Sequence, residues 1–279
     1  MAGSAASRLD PSLPVVEVGA APVGVRLHGW SAVVVAVASV LALSVFLWPL
    51  WLPADAGGQR GDAPWLLALL LPALVLLTLA QLGERGLDSR TLAVLGVLSA
   101  LNAALRPTLS AGTAGVESVF FTLVLAGRVF GPGFGFLLGC TSLFASALLT
   151  AGVGPWLPFQ MVCAAWIGMG AGLLPRRLRG RRELAVLVVY GIVSAYAFGL
   201  LMNLWFWPFV TSTGGAATPG ALDYLPGAPV LENLRRFAVF TLITSTGGWD
   251  TGRAVTNTVA LLVLGPPVLA VLRRAARLP

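Results

Sequence analysis

The feature that most constrains this chain is the recurrence of apolar runs about as long as a bilayer is thick. Crossing a hydrocarbon core of about 30 Å takes roughly 20 helical residues, and such runs fill most of the chain beyond residue 30. They are continuous and do not alternate with polar residues, which favours membrane helices over a membrane β-barrel. Only 10% of the residues are charged, whereas soluble domains have about 25%. The sequence therefore predicts an all-α integral membrane protein.

Eight transmembrane spans are predicted after an N-terminal tail. Residues 1–29 are rich in Pro, Gly, Ala and Ser and predict a disordered cytoplasmic tail. No cleavable signal peptide is expected, because the first apolar run is long enough to span. A long extracellular segment, 208–249, contains an apolar stretch at 237–246 that is too short to span. We expect this stretch to lie at the interface or to fold back over the bundle. The predicted spans are 30–52, 64–82, 90–106, 116–131, 133–151, 157–175, 184–207 and 250–272.

The arginines predict the orientation of the bundle. All 18 basic residues are Arg, and short cytoplasmic loops collect basic residues. With eight spans, the cluster at 176–182, the arginines at 273–277, Arg85 and Arg90 fall on one side. A multi-pass protein of the cell membrane with both termini in the cytoplasm is therefore expected. The net charge of +7 then reflects topology, and no nucleic-acid partner is expected, since no basic face with stacking aromatics lies outside the spans.

Polar and aromatic residues gather at the predicted outer ends of several spans. Ionisable groups at membrane depth are costly and usually face a cavity or a partner. A cluster drawn from separate helices therefore predicts a solute pocket that is open to the outside. Apart from Arg128 and the loop arginines, the inner side offers little comparable. The predicted substrate-binding residues are Asn102, Arg106, Glu117, Trp156, Gln160, Asn203, Trp207, Trp249, Asp250, Arg253 and Asn257.

Simpler interpretations exist for single members of this set. Arg106 and Glu117 could pair with each other across a loop, and Asp250 and Arg253 could form a local ion pair on one helical face. Trp residues at span ends, such as Trp48, Trp51 and Trp65, are typical interface anchors. The predicted pocket therefore depends on the clustering and not on any one residue.

Small residues recur every four positions along the third predicted span. Gly96, Ala100 and Ala104 form a stripe that would let another helix approach closely in lipid, where packing drives association. That helix could belong to a partner or to the same bundle. Gly131–Pro132–Gly133 predicts a tight turn between the fourth and fifth spans, without a phosphate-loop pattern.

Residues that carry enzyme chemistry are scarce. His28 is the only histidine and lies in the tail, which excludes His-based general bases, His metal clusters and Ser–His triads. Cys140 and Cys163 lie inside apolar runs without CxxC spacing, so they support neither a metal site nor a disulfide framework. We therefore expect no enzyme activity, no metal and no intrinsic cofactor.

From residue 89 onward, the order of sequence features resembles the substrate-binding S component of an energy-coupling factor (ECF) vitamin transporter. The first resemblance is a six-helix core with both ends in the cytoplasm. The second is a first core helix that carries small residues four apart. The matching stretches are Ser89–Gly96 continuing to Asn102, Arg106 and Pro107, then Gly115–Phe121, Gly131–Phe136, Gly154–Gln160 and Gly248–Arg253.

The resemblance implies a domain organisation and a mechanism. Two additional transmembrane helices within 30–88, which the family core does not need, would precede a six-helix substrate-binding core at 89–279. The core would bind its vitamin at the outer face and dock onto a membrane T component through Gly96, Ala100 and Ala104. It would then topple to release the vitamin inside, in a cycle driven by two cytoplasmic ATPases.

The resemblance also bears on the transported ligand. The stretches around 154–160 and 248–257 look most like the cobalamin branch, although riboflavin or another heteroaromatic vitamin would equally suit Trp-rich walls. Two other functional classes stay open. A stand-alone secondary transporter would usually show internal repeats, and a non-transporting membrane scaffold would bind no ligand.

Overall fold

The computed structural model of the chain is helical, and no β-strand occurs among the residues that it describes. The described residues are 23–25, 27, 29–51, 71–73, 75–76, 78–80, 83, 87–109, 116–212, 220 and 222–277. Most of the predicted tail 1–29 and much of the predicted span 64–82 therefore lie outside the described residues, as do Arg85, His28 and Trp65.

The helices follow one another along the chain with short connections. The last three elements below form one continuous helix from Val230 to Arg277. The elements are α1 (Trp30–Phe46), α2 (Trp48–Trp51), α3 (Leu71–Ala80), α4 (Ser89–Leu109), α5 (Val119–Phe130), α6 (Pro132–Leu149), α7 (Leu157–Leu173), α8 (Gly180–Ser212), α9 (Val230–Thr241), a π-helix (Leu242–Asp250) and α10 (Thr251–Arg277).

The lengths and compositions of these helices confirm a helical membrane fold. By length and hydropathy, three described helices could each cross a bilayer, and four shorter apolar helices accompany them. The number of eight spans stays a prediction. The three long helices are Pro132–Leu149, Gly180–Thr211 and Val230–Arg277, and the shorter ones are Trp30–Phe46, Leu71–Ala80, Val119–Phe130 and Leu157–Leu173.

The segment 208–249 differs from its sequence prediction. Residues 208–212 extend α8, and the stretch 237–246 lies inside the continuous helix that begins at Val230. It is therefore neither a separate interfacial helix nor a fold-back, and the helix that contains the last predicted span starts well before residue 250.

Local features of the sequence explain this error. Arg236 suggested an end to the apolar run, but it lies on the helix surface and pairs with Glu232 one turn earlier, at 3.1 Å. Gly247 and Gly248 suggested a break, but both lie within the π-helix. A glycine pair weakens a helix without ending it, provided that tertiary packing supports the helix.

Helix α5 lies at the centre of the bundle, since 10 of its 12 residues are buried. Its backbone touches that of α7, because a Cβ atom at Gly127 would overlap the main chain at Gly168. Gly135 of α6 meets the same residue in the same way. Small residues at such crossings give the close packing that associates helices in lipid. Gly131, with φ of 94°, forms the predicted tight turn between α5 and α6.

The N-terminal helices pack against α7 and α8. Trp166 of α7 donates a hydrogen bond to Ser39 of α1 at 3.0 Å, and the Nε1 of Trp48 donates to the Trp205 main-chain oxygen at 3.1 Å. Trp48 is 7% exposed and Trp51 is 53% exposed. The interpretation of Trp48 as an interface anchor is therefore wrong, because the neighbouring α8 covers its ring.

The end of the predicted tail is ordered. The main-chain nitrogen of Val25 donates to Phe130 O at 3.2 Å, and the Val25 carbonyl accepts from Gly133 N at 3.0 Å. These bonds join the segment before α1 to the turn between α5 and α6. The prediction of disorder is therefore wrong for residues 23–25, where the turn supplies partners that composition does not reveal.

Candidate functional site

A chain of four alternating charges lies at one end of the bundle. Glu117, just before α5, pairs through Oε1 with Arg106 Nε of α4 and through Oε2 with Arg253 Nε of α10, each at 3.1 Å. Arg253 also pairs with Asp250 at 3.0 Å. The pairs that the sequence offered as simpler interpretations both exist, but they form one connected structure.

Three polar residues extend this chain of charges. Gln160 of α7 accepts a hydrogen bond from Arg106 at 3.3 Å. Asn257 donates to the main-chain oxygens of Glu117 and Arg253, both at 2.8 Å. Ser245 donates to Asp250 Oδ2 at 2.9 Å. We call these seven residues the Glu117 cluster, and their end of the bundle the Glu117 end: Arg106, Glu117, Gln160, Ser245, Asp250, Arg253 and Asn257.

The π-helix places Ser245 and Asp250 on the same face. Residues five apart are aligned by the i to i+5 hydrogen bonds of a π-helix, whereas they point about 140° apart in an α-helix. Thr251 repeats the spacing, with its hydroxyl donating to Thr246 O at 2.6 Å. Short π-helical segments occur frequently at functional sites, and here the segment delivers Asp250 to Arg253.

The charges of Asp250 and Arg253 are held away from solvent. Asp250 is 1% exposed, and its carboxylate lies so close to Gly199 of α8 that a Cβ atom there would overlap it. The Arg253 guanidinium lies 4.8 Å from the Phe198 ring centre and 5.6 Å from that of Phe120. Cation–π contacts of this kind strengthen when they are desolvated.

Several buried side-chain atoms near this cluster lack a hydrogen-bond partner among the described residues. Each is tied to the Glu117 end: Ser118 follows Glu117, Asn257 bonds to Glu117, and Asn102 bonds to Ser142, one turn before Ser146. Trp205 stacks on Phe159, which precedes Gln160. The atoms are Asn102 Oδ1, Ser118 Oγ, Ser146 Oγ, Trp205 Nε1 and Asn257 Oδ1.

A second ion cluster lies at the other end of the bundle. Glu183 of α8 pairs with Arg128 of α5 at 2.7 Å and with Arg273 of α10 at 2.6 Å. The side chains of Arg128 and Glu183 are each 3% exposed. We call these three residues the Glu183 cluster. Along α10, Arg253 and Arg273 are about 30 Å apart at 1.5 Å per residue, which is close to the thickness of a bilayer core.

The prediction that this inner side offers little polar structure is therefore wrong. Arg128 also donates to the main-chain oxygens of Leu174, Pro175 and Leu178, at 2.9 to 3.2 Å, so it holds the connection between α7 and α8. The sequence signal was Glu183, the one carboxylate that directly follows the arginines of 176–182. It was missed because a charge at a helix start usually faces water.

The structure brings six of the predicted site residues together. The others have separate environments. Asn102 donates to Ser142 at 3.1 Å, and Asn203 donates to Thr241 at 3.5 Å. The six residues in the Glu117 cluster are Arg106, Glu117, Gln160, Asp250, Arg253 and Asn257.

The predicted tryptophans lie outside the Glu117 cluster. Trp156 and Trp249 are 41% and 50% exposed. Trp207 is fully buried in an aromatic group with Tyr224 and Phe237, at ring distances of 5.3 and 5.5 Å. Sequence reasoning also missed contributors that look like ordinary core residues. These are Ser118, Phe120, Ser146, Phe198 and Ser245.

The small-residue stripe lies on the outer face of α4. Gly96, Ala100 and Ala104 are exposed with respect to the part of the chain that the structure describes, whereas Leu95 and Leu98 are buried. No other described atom lies within 4 Å of a Cβ placed on Gly96. Within the described bundle, the stripe is therefore not an internal packing surface.

Comparison with known proteins gives one family. A family model described as "ECF transporter, substrate-specific component" matches residues 90–246, which is more than half of the chain. No curated protein and no solved structure matches. The matched region runs from α4 into the π-helix, so it contains Arg106, Glu117 and Gln160.

Proposed function

This chain belongs to the family of substrate-specific components of ECF transporters, and on that premise we propose that it captures a vitamin of the cobalamin type at the outer face of the cell membrane. The bound vitamin is then delivered inward together with a membrane T component and two cytoplasmic ATPases. The chain itself acts as a binding subunit, and ATP hydrolysis belongs to its partners.

The main support for this proposal is the Glu117 cluster. It joins side chains from α4, α7, the π-helix and α10 at one end of the bundle. Buried charges and amides from several helices converge in membrane proteins mainly where a solute pathway or binding site requires them. Arg106, Glu117, Gln160, Asp250, Arg253 and Asn257 are the proposed binding residues closest to this centre.

The arginines support the proposed orientation. The exposed arginines of 176–182 and those after α10 lie at the same end as the Glu183 cluster. The preference of arginine-rich loops for the cytoplasm would place that end inside and the Glu117 end outside. Labelling of introduced cysteines in the 176–182 loop from outside intact cells tests this directly, and efficient labelling would contradict the proposed direction of uptake.

Cobalamin is proposed on the sequence likeness of 154–160 and 248–257 and on the spread of the site over several helices. A bulky corrinoid carries many amide groups and would use polar contacts from all of them. Riboflavin remains the second candidate, because Phe159 and Trp205 already form a stacked aromatic pair at 3.9 Å. A heteroaromatic ring could join such a stack.

The decisive experiment is purification of the full chain, followed by mass spectrometry and visible absorption of any bound small molecule. A corrinoid spectrum is expected. Asp250→Ala and Arg253→Ala should each lower vitamin affinity by at least ten-fold while membrane insertion is kept. Absence of every vitamin would favour a scaffold role, and uptake in cells that lack all ATPase partners would favour a secondary transporter.

The exposed stripe on α4 is the proposed surface for docking onto the T component. Ala100→Trp should block assembly with the T component and abolish uptake, because the indole prevents close helix approach. Vitamin binding by the isolated chain should be unchanged. Val193→Trp on α8, which is 60% exposed at a different surface, is the matched control. Full uptake by Ala100→Trp would show that docking uses another face.

A further inference from the structure

Asn257 presents a buried acceptor whose identity is fixed by its other bonds. Its amide nitrogen donates to two main-chain carbonyls, of Glu117 and Arg253, both at 2.8 Å. A carbonyl oxygen could not replace that nitrogen, so the remaining atom, Oδ1, is an acceptor. It is buried and has no donor among the described residues.

A second unpaired group lies beside it. Ser118 follows Glu117 directly along the chain, and its buried hydroxyl also lacks a partner in the described part of the chain. Because Asn257 is bonded to the Glu117 carbonyl, the Ser118 hydroxyl and Asn257 Oδ1 flank the same peptide unit. These two atoms form one polar pair on the α10 side of Glu117.

A comparable pair lies on the other side, between α4 and α6. Asn102 donates to Ser142 at 3.1 Å, and its Oδ1 has no partner among the described residues. The Ser146 hydroxyl, one turn further along α6, is likewise unpaired there. Both residues are 1% exposed. Buried polar groups in native proteins are nearly always hydrogen-bonded, so two such pairs at one site indicate a ligand that completes them.

The charges of the same site are already balanced. Arg106 and Arg253 share Glu117, and Arg253 also pairs with Asp250. An added ionic group would introduce an uncompensated charge at membrane depth, which is strongly unfavourable. The arrangement therefore favours a ligand that is neutral overall and that supplies hydrogen bonds.

We infer that the transported molecule is uncharged where it enters this site and presents N–H or O–H donors to Asn257 and Asn102, with Ser118 and Ser146 as further contacts. The inference rests on the proposed function, since it concerns the same site, and adds the chemical class of the substrate and four specificity-determining positions. Neutral amides, imides and polyols belong to this class, whereas carboxylate and ammonium compounds do not.

The first test measures equilibrium binding of four probes to the purified full chain. Cyanocobalamin and riboflavin are uncharged donors, thiamine is a cation and biotin is an anion. At least ten-fold tighter binding of an uncharged probe is expected. Preference for thiamine or biotin would overturn the inference and leave the proposed function intact. Failure of all four to bind would overturn both.

The second test separates ligand contact from structural support. Ser146→Ala and Ser118→Ala should each weaken the preferred probe about five- to ten-fold, which is the loss of one hydrogen bond. Melting of the free protein should be unchanged or higher, because a buried unpaired hydroxyl is removed. Ser142→Ala, one turn away and used within the protein, should instead lower melting. Unchanged affinity in both Ser146→Ala and Ser118→Ala would overturn the inference.

Discussion

The Glu117 and Glu183 clusters use the same chemistry at opposite ends of the bundle and differ in completeness. In each, one glutamate binds two arginines from different helices. In the Glu183 cluster, Arg128 uses Nε and both terminal nitrogens, and Glu183 receives bonds at both oxygens. Near the Glu117 cluster, buried side-chain atoms stay unpaired within the described structure.

This difference teaches how a membrane bundle can separate support from recognition. A buried ion pair tolerates low dielectric only when its hydrogen bonds are complete, and the Glu183 cluster meets that condition while joining α5, α8 and α10. An incomplete polar site is costly in the same surroundings. The Glu117 end can retain one because a ligand supplies the missing partners.

Backbone packing follows the same division. Toward the Glu183 end, Gly172 of α7 meets the main chain of Pro132, and Gly168 meets Gly135. The Glu117 end contains the π-helix and a polar interior. The end that binds arginines to Glu183 is therefore the more tightly packed one.

The largest expected effect is that of Glu183→Ala. The change leaves two arginines without a carboxylate, and Arg128 is 3% exposed, so about 3–5 kcal/mol of unfolding free energy should be lost. Unfolding in detergent, monitored by circular dichroism, measures the loss. Glu232→Ala is the control, because its pair with Arg236 is surface-exposed and should contribute only about 0.3–0.5 kcal/mol. Equal effects of the two changes would remove the distinction in support between the ends.

An intermediate effect is expected from Gly199→Ala. The new methyl group would overlap the Asp250 carboxylate, so Asp250 must move away from Ser245 and Arg253. A loss of about 3 kcal/mol is expected, at the upper end for overpacking, together with weaker vitamin binding. Gly191→Ala on the same helix meets only a Leu261 methyl, at 3.0 Å, and should keep vitamin affinity. Normal affinity in Gly199→Ala would show that Asp250 can leave the cluster without consequence.

The smallest effect is expected from Ser245→Ala. It removes one hydrogen bond to Asp250, and bonds to charged groups contribute about 1.5–3 kcal/mol. We expect a loss near 1.5 kcal/mol, because Arg253 continues to hold the carboxylate. Thermal unfolding gives the value. Thr244→Ala, an exposed neighbour in the π-helix, should change stability by less than about 0.5 kcal/mol. Indistinguishable values would mean that the π-helical alignment contributes no stability.

The sequence was sufficient to identify the helices and one half of the ionic design. Span-length apolar runs leave few alternatives to helices in lipid, and the costly charges at Arg106, Glu117 and Arg253 indicated a shared site. Ser245 and Ser118 could not be found in this way, because a serine in an apolar run is common and its role depends on neighbours from other helices. Glu183 was missed because its partners, Arg128 and Arg273, are distant in the chain.

By itself, the sequence determined a helical membrane protein with its arginines gathered at one margin, since hydropathy and charge act on each segment separately. Tertiary structure decided that 237–246 continues into α10, that the Gly96 stripe faces outward, and which polar atoms find partners. Those outcomes depend on the contacts between helices, and the π-helix shows why: a change in helical pitch over a few residues turns Ser245 and Asp250 onto one face.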